Sequence, residues 1–163
     1  MLTLRQTVIV QDWLKDKVFK IKNNVDKNYK ATGKTKDSVQ WSMTDSSAQI
    51  TALDTIYFGE FGRGKTTKGS KPKGQGILKD IIRQWIDVKG IQPRESTMSK
   101  DTLAFLIARK INRDGIKVPN EYNAGQILSS VLNEKAVEEL IREFGAVLIQ
   151  EFESDILPLF KKQ

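Results

Sequence analysis

Neither cysteine nor histidine occurs anywhere in the 163 residues. Without cysteine there is no disulfide, no thiolate nucleophile and no cysteine-based zinc site. Without histidine there is no imidazole general base, no triad built on one and no imidazole metal ligand. Long hydrophobic runs are missing too, so no segment reads as a membrane span. Residues 1–11 lack a continuous apolar core and do not read as a signal peptide. Carboxylate, lysine, tyrosine and serine chemistry remain. Apolar residues make up 39% and charged ones 29%, enough for one folded domain over residues 1–163 and too apolar for general disorder.

Charge is unevenly placed. Residues 1–36 hold nine Lys/Arg against three acids, and residues 37–61 hold four acids and no Lys/Arg. Residues 62–120 hold fourteen Lys/Arg against five acids, and residues 121–163 hold four against eight, which together give the net +7. A basic middle between acidic segments suits a polyanion, or a homomer whose basic face meets the next subunit's acidic one.

Val10, Leu14, Val18, Ile21, Val25 and Tyr29 recur at spacings of three and four, predicting a helix from about Thr7 to Tyr29. It would be a rod of roughly 33 Å, with lysines 15, 17, 20, 22 and 27 on its solvated face and a stop at Thr32-Gly33. Trp13 lies at the edge of the apolar face and is a candidate intersubunit contact. Val39, Trp41 and Met43, then Ala48, Ile50 and Ala52, alternate with polar residues. They predict an antiparallel hairpin over residues 38–53, turned at Asp45-Ser46-Ser47. Small Ala48 and Ala52 suit close packing of the long helix across that sheet.

A short helix is expected over residues 54–61, followed over residues 62–76 by a flexible basic loop in which Gly62 to Gly76 offer nothing apolar to bury. Ile77, Leu78, Ile81, Ile82, Trp85 and Ile86 predict an amphipathic helix closed by Gly90, with Trp85 in the core. Another follows from Ser99, with Leu103, Leu106, Ile107, Lys110 and Ile111 on one face and Gly115 as its cap. Helical sequence is expected again from Ala124, with a break near Asn133, then a second run through Leu140, Ile141, Phe144, Leu148 and Phe152 that ends at Pro158. No internal repeat is present. The fold class is α+β: a long N-terminal helix on a small antiparallel sheet, followed by several helices.

The segment Tyr57-Phe58-Gly59-Glu60-Phe61-Gly62-Arg63-Gly64-Lys65 is the densest motif. Gly59 to Thr66 formally satisfies the Walker A string, G-x-x-x-x-G-K-[ST]. That string needs a buried strand before it and a helix starting at its lysine, and Pro72 with the surrounding glycines precludes the helix. Glu60, beside Arg63 and one turn from Tyr57, is expected to form a local ion pair that fixes the turn. Tyr57, Glu60, Phe61, Gly62, Arg63 and Gly64 are therefore the candidate turn-fixing residues. Arg63, Lys65, Lys68, Lys71 and Lys73 are candidate contacts to a neighbouring subunit or to DNA, where five cations on a loop would bind phosphates without sequence preference. No aromatic is interleaved among them to stack on bases. Glu151, Glu153 and Asp155, spaced by two on a helix, cannot converge on a metal. No catalytic residue, cofactor or metal is expected.

Taken together, five stretches resemble the neck, head–tail connector and tail-completion proteins of tailed bacteriophages. They are Ala31 to Val39, the Trp41 strand, Tyr57 to Gly64, the Ile82–Ile91 helix end, and Leu103 to Ile116, about half the chain. The family often carries a proline soon after Gly-Arg-Gly, where this chain has Lys65-Thr66-Thr67. The resemblance implies a long helix on a small sheet and a ring of about six or twelve copies at the portal or neck. It also implies other portal, neck or tail proteins as partners, nearby packaged DNA, no membrane, and a virion protein made in the host bacterial cytoplasm. It implies no catalytic residue. A free, sequence-nonspecific DNA-binding accessory protein using loop 62–76 is the alternative, and a P-loop nucleotide hydrolase is a distant third.

Overall fold

The computed structural model describes residues 2–28, 33–44, 46–67 and 75–160. Six helices and two strands occur among them: α1 (Leu4–Asn28), α2 (Lys34–Asp37), β1 (Gln40–Met43), β2 (Ala48–Thr51), α3 (Thr55–Phe61), α4 (Gln75–Val88), α5 (Lys100–Asp114) and α6 (Glu134–Phe160). The α+β reading holds: a long N-terminal helix, a two-stranded antiparallel sheet and further helices.

Helix α1 forms where its periodicity predicts and starts three residues earlier; Tyr29 and Thr32, at its expected end and stop, lie outside the described residues. Leu14, Val18, Ile21 and Val25 are all buried, each worth about 1.5–3 kcal/mol relative to exposure. Ile21 and Val25 meet Val39, Ile56, Ile127 and Val131 in the main core, with Trp41, Ile50 and Leu128 packed at its edge. Trp41 stands opposite Ile50 and Met43 opposite Ala48 in the hairpin register. Its turn is closed by the Thr44 N–H donating to the Ser47 carbonyl at 2.8 Å; Asp45, expected in this turn, lies outside the described residues. Ser38 joins α2 to the sheet, its hydroxyl accepting the Leu53 N–H and donating to the Thr35 carbonyl.

Several expectations are corrected. Ala48 and Ala52 are exposed, so α1 meets the sheet through Trp41 and Ile50 at one edge of the core rather than across the small residues. Trp13 is used within the chain: its indole N–H donates to the Ala136 carbonyl at 2.9 Å, where α6 begins, and the Lys17 ammonium sits over its ring. Trp85 is exposed, because α4 turns Ile86 inward instead. On α5 the buried positions are Ala104 and Ala108, and Leu106 is exposed, so α4 approaches α5 over small side chains. Ser99 caps α5 by accepting the Thr102 N–H at 3.0 Å.

Residues 124–133 do not form a helix. They run as turns that push Ile127 and Val131 into the core, and Asn24 on α1 donates to the Ile127 carbonyl. Helix α6 begins only after Asn133, whose side-chain oxygen accepts the Ala136 N–H at 3.0 Å, and it passes through Pro158 to Phe160. Among the described residues, no helix is long and apolar enough to cross a membrane.

Candidate functional site

Helix α3 is seven residues long and carries three aromatics outward: Tyr57, Phe58 and Phe61 are all exposed. The Tyr57 and Phe61 rings meet one turn apart with centroids at 4.7 Å and planes tilted by 51°, and Phe58 meets Tyr57 edge-on. On the other side Ile56, Gly59 and Glu60 are buried. Tyr57 also borders an open, mainly apolar groove of about 250 Å³ between α1, the hairpin and the 128–132 turn, floored by Ile21, Val39 and Ile56.

Glu60 is only 7% exposed, and no ion pair joins it to Arg63 among the described residues, correcting the expected local salt bridge. Its carboxylate reaches instead to the 127–129 turn. One oxygen accepts the backbone N–H groups of Ile127 and Leu128 at 2.5 and 2.8 Å, and the other accepts that of Ser129 at 3.2 Å. Burial alone would push the carboxyl upward; the hydrogen bonds from Ser129, Leu128 and Ile127 outweigh it and hold Glu60 below the usual carboxylate range. Three successive N–H donors in a turn make an anion-binding concavity, and here the anion belongs to the same chain. With its lone pairs so engaged, Glu60 is an anchor and is poorly placed to take a proton.

The rest of the turn is stapled to the same region. Asn123 donates from its amide to the Gly59 carbonyl at 2.8 Å, and its oxygen accepts the Gly125 N–H. Gly62 closes α3 at φ 81°. There, Arg63 and Ile116 exchange both backbone hydrogen bonds, at 2.8 and 2.7 Å. The chains approach so closely that a Cβ on Gly62 would lie 2.2 Å from the Ile116 carbonyl oxygen, and one on Gly115 would lie 2.4 Å from that of Arg63. Thr66 continues the tether through its N–H to the Asn112 carbonyl and its hydroxyl to the Asn112 side chain.

This corrects the reading of 62–76 as one flexible loop. Residues 62–67 lie along the end of α5, and α4 already begins at Gln75. Arg63 is half-buried and its guanidinium lies within 3.4 Å of the Asn112 oxygen, whereas Gly64 and Lys65 are exposed. Lys68, Lys71 and Lys73 lie outside the described residues. The Walker-like string begins inside α3, and no helix starts at Lys65-Thr66. The ring of free N–H groups that would hold phosphates is therefore not formed there. Among the described residues, no cluster of three or more acidic side chains is placed to hold a metal.

The structure thus brings Tyr57, Glu60, Phe61, Gly62 and Arg63 together, with Gly64 at their edge. Their partners Asn112, Asn123, Gly125 and Ile127–Ser129 escaped sequence reasoning. Asparagine and glycine between Asn120 and Gly125 signal turns, but nothing in them says which distant backbone they bind. Compared with protein-family models, curated proteins and solved structures, the chain matches no family model, no curated relative and no solved structure.

Proposed function

We propose that this chain is a structural protein of a tailed-phage virion, forming a homomeric ring at the portal, neck or tail junction and acting in head–tail joining or tail completion. The motifs of residues 28–115 point to the phage setting. The observation that most favours assembly is physical. Six of the seven phenylalanines, Phe19, Phe58, Phe61, Phe105, Phe152 and Phe160, are exposed in a single copy. On α3 they form one patch, Phe61 against Tyr57 at 4.7 Å and Phe58 edge-on to Tyr57, and a contiguous exposed apolar patch is the kind of surface a partner covers.

On this reading the clamped α3 turn is a rigid platform, and no residue does chemistry. Residues 62–120, at the chain's greatest excess of positive charge, face acidic neighbours or packaged DNA. The partners are further copies and adjoining portal, neck or tail proteins.

The deciding experiment is quantitative mass spectrometry of purified particles from the source of this sequence. A fixed copy number near six or twelve, counted against the portal, is expected. Complete absence from particles overturns the proposal and leaves DNA binding by the free protein as the leading idea.

A further inference from the structure

Helix α6 is apolar on two sides. Its inner side, including Ala136, packs toward α1, and Gln6 on α1 ties to Glu151 at 2.7 Å. Val137, Ile141, Leu148 and Phe152 stand on a second stripe at helical spacings of four, seven and four, and all are exposed, Ile141 at 64% and Phe152 at 66%. Isolated exposed leucines are ordinary; four large apolar side chains aligned along some 15 residues, or roughly 23 Å of helix, are not.

A second exposed stripe lies on α4, where Ile81, Trp85 and Val88 follow at four and three. The two stripes differ in charge. Glu134 and Asp155 end the α6 stripe and Glu138 flanks it, and none of the three has an ion-pair partner among the described residues. Lys89 flanks the α4 stripe and Arg109 lies on the adjoining α5, equally without ion-pair partners among the described residues, as are Asp80 beside Ile81 on α4 and Lys135 and Arg142 on α6. Over α6, residues 134–160 hold two Lys/Arg against seven acids, and over α4 and α5, residues 75–114 hold eight Lys/Arg against five acids.

We propose that the α6 stripe of one copy packs across the α4 stripe of the next copy of this chain. Pairing α6 with α6 would bring two acidic faces together, which like-charge repulsion disfavours. Pairing α6 with α4 sets the acidic helix against the net-positive α4–α5 pair, with the α4 row, about 10 Å long, covering roughly half of the α6 one. Such a contact uses two different patches, so it is heterologous: repeated, it closes into a ring or continues as a filament. This interface deepens the homomeric reading and rests on it, but it is tested on the purified chain alone.

The cysteine-free sequence makes the test direct. Full-length Ile141→Cys and Trp85→Cys proteins are mixed and treated with a short bis-maleimide, with Ser46→Cys on the hairpin as the control partner. Covalent dimers are expected from the 141/85 mixture and not from 141/46. The Ile141→Cys protein alone should give none. Light scattering should show the unmodified chain self-associating, and Ile141→Glu should weaken this by about tenfold or more. Abundant 141–141 dimers, or a monomer at high micromolar concentration that gives no 141/85 product, overturn the interface. Its failure is separable from that of the virion reading: a protein counted in particles but lacking this crosslink keeps its place and loses this contact. A crosslinked ring absent from particles does the reverse.

Discussion

The carboxylate of Glu60 accepts the backbone N–H of Leu128 at 2.8 Å across 68 residues of sequence. With its neighbours on Ile127 and Ser129, this bond fixes where the aromatic face of α3 sits relative to the core. Hydrogen bonds to an ionised, buried acceptor are among the stronger ones, at roughly 1.5–3 kcal/mol. Glu60→Gln is therefore expected to destabilise the fold by about 2 kcal/mol and Glu60→Ala by more, read as a lower urea midpoint at unchanged slope. A Gln variant as stable as the parent would show that the charge is irrelevant.

The same residue sets a pH dependence. Its folded pKa lies below the usual carboxylate value near 4.5. Its stabilisation is therefore complete above that unfolded value and is lost as pH falls through the folded one. Urea midpoints measured from neutral pH downward should fall less steeply in Glu60→Gln than in the parent. Parallel curves for the two proteins would remove Glu60 from the acid response.

The glycines separate crowding from strain. Gly62→Ala and Gly115→Ala face both a positive φ and a backbone oxygen within 2.4 Å of the new methyl, so each is expected to cost more than about 2 kcal/mol. Gly90, at φ +65° in open space, should cost only about 1 kcal/mol as alanine. Gly64→Ala meets nothing within 4 Å and carries no positive φ, and should lie within about 0.5 kcal/mol of the parent. Thermal melts of the four variants check the order.

Core and stripe should also respond differently. Ile127 is fully buried against α1 and the hairpin, and Ile127→Ala is expected to cost about 3 kcal/mol. Asn133→Ala removes the cap of α6 and should cost about 1 kcal/mol. Ile141→Ala should leave the unfolding midpoint of the dilute chain almost unchanged, since the residue is largely exposed.

Replacing Arg63, Lys65, Lys68, Lys71 and Lys73 by serine tests the alternative. The assembly reading expects weak DNA affinity from the isolated monomer before and after the change. Micromolar binding that falls steeply with salt and vanishes in the five-fold variant would instead favour a free DNA-binding protein. Fluorescence anisotropy over a salt series distinguishes the two.

What could be read in the sequence was what neighbouring residues decide among themselves. Apolar spacing marked α1, alternation marked the hairpin around Trp41 and Ile50, and Ser99 with Gly115 bounded α5, because repeat geometry and capping act within a few residues. Distant partners left no such trace. Glu60 looked destined for Arg63, three residues away, and only the folded chain delivers the N–H groups of Ile127 to Ser129 to it. Trp13 finds Ala136, and residues 124–133 give up helical spacing to bury Ile127 and Val131, for the same reason: packing against α1 outweighs local preference. On α6 the spacing marked a run through Leu140, Ile141, Phe144, Leu148 and Phe152, yet Ile141, Leu148 and Phe152 are exposed, because the helix is apolar on more than one side. Packing against α1 covered one side, and the stripe from Val137 to Phe152 remained exposed.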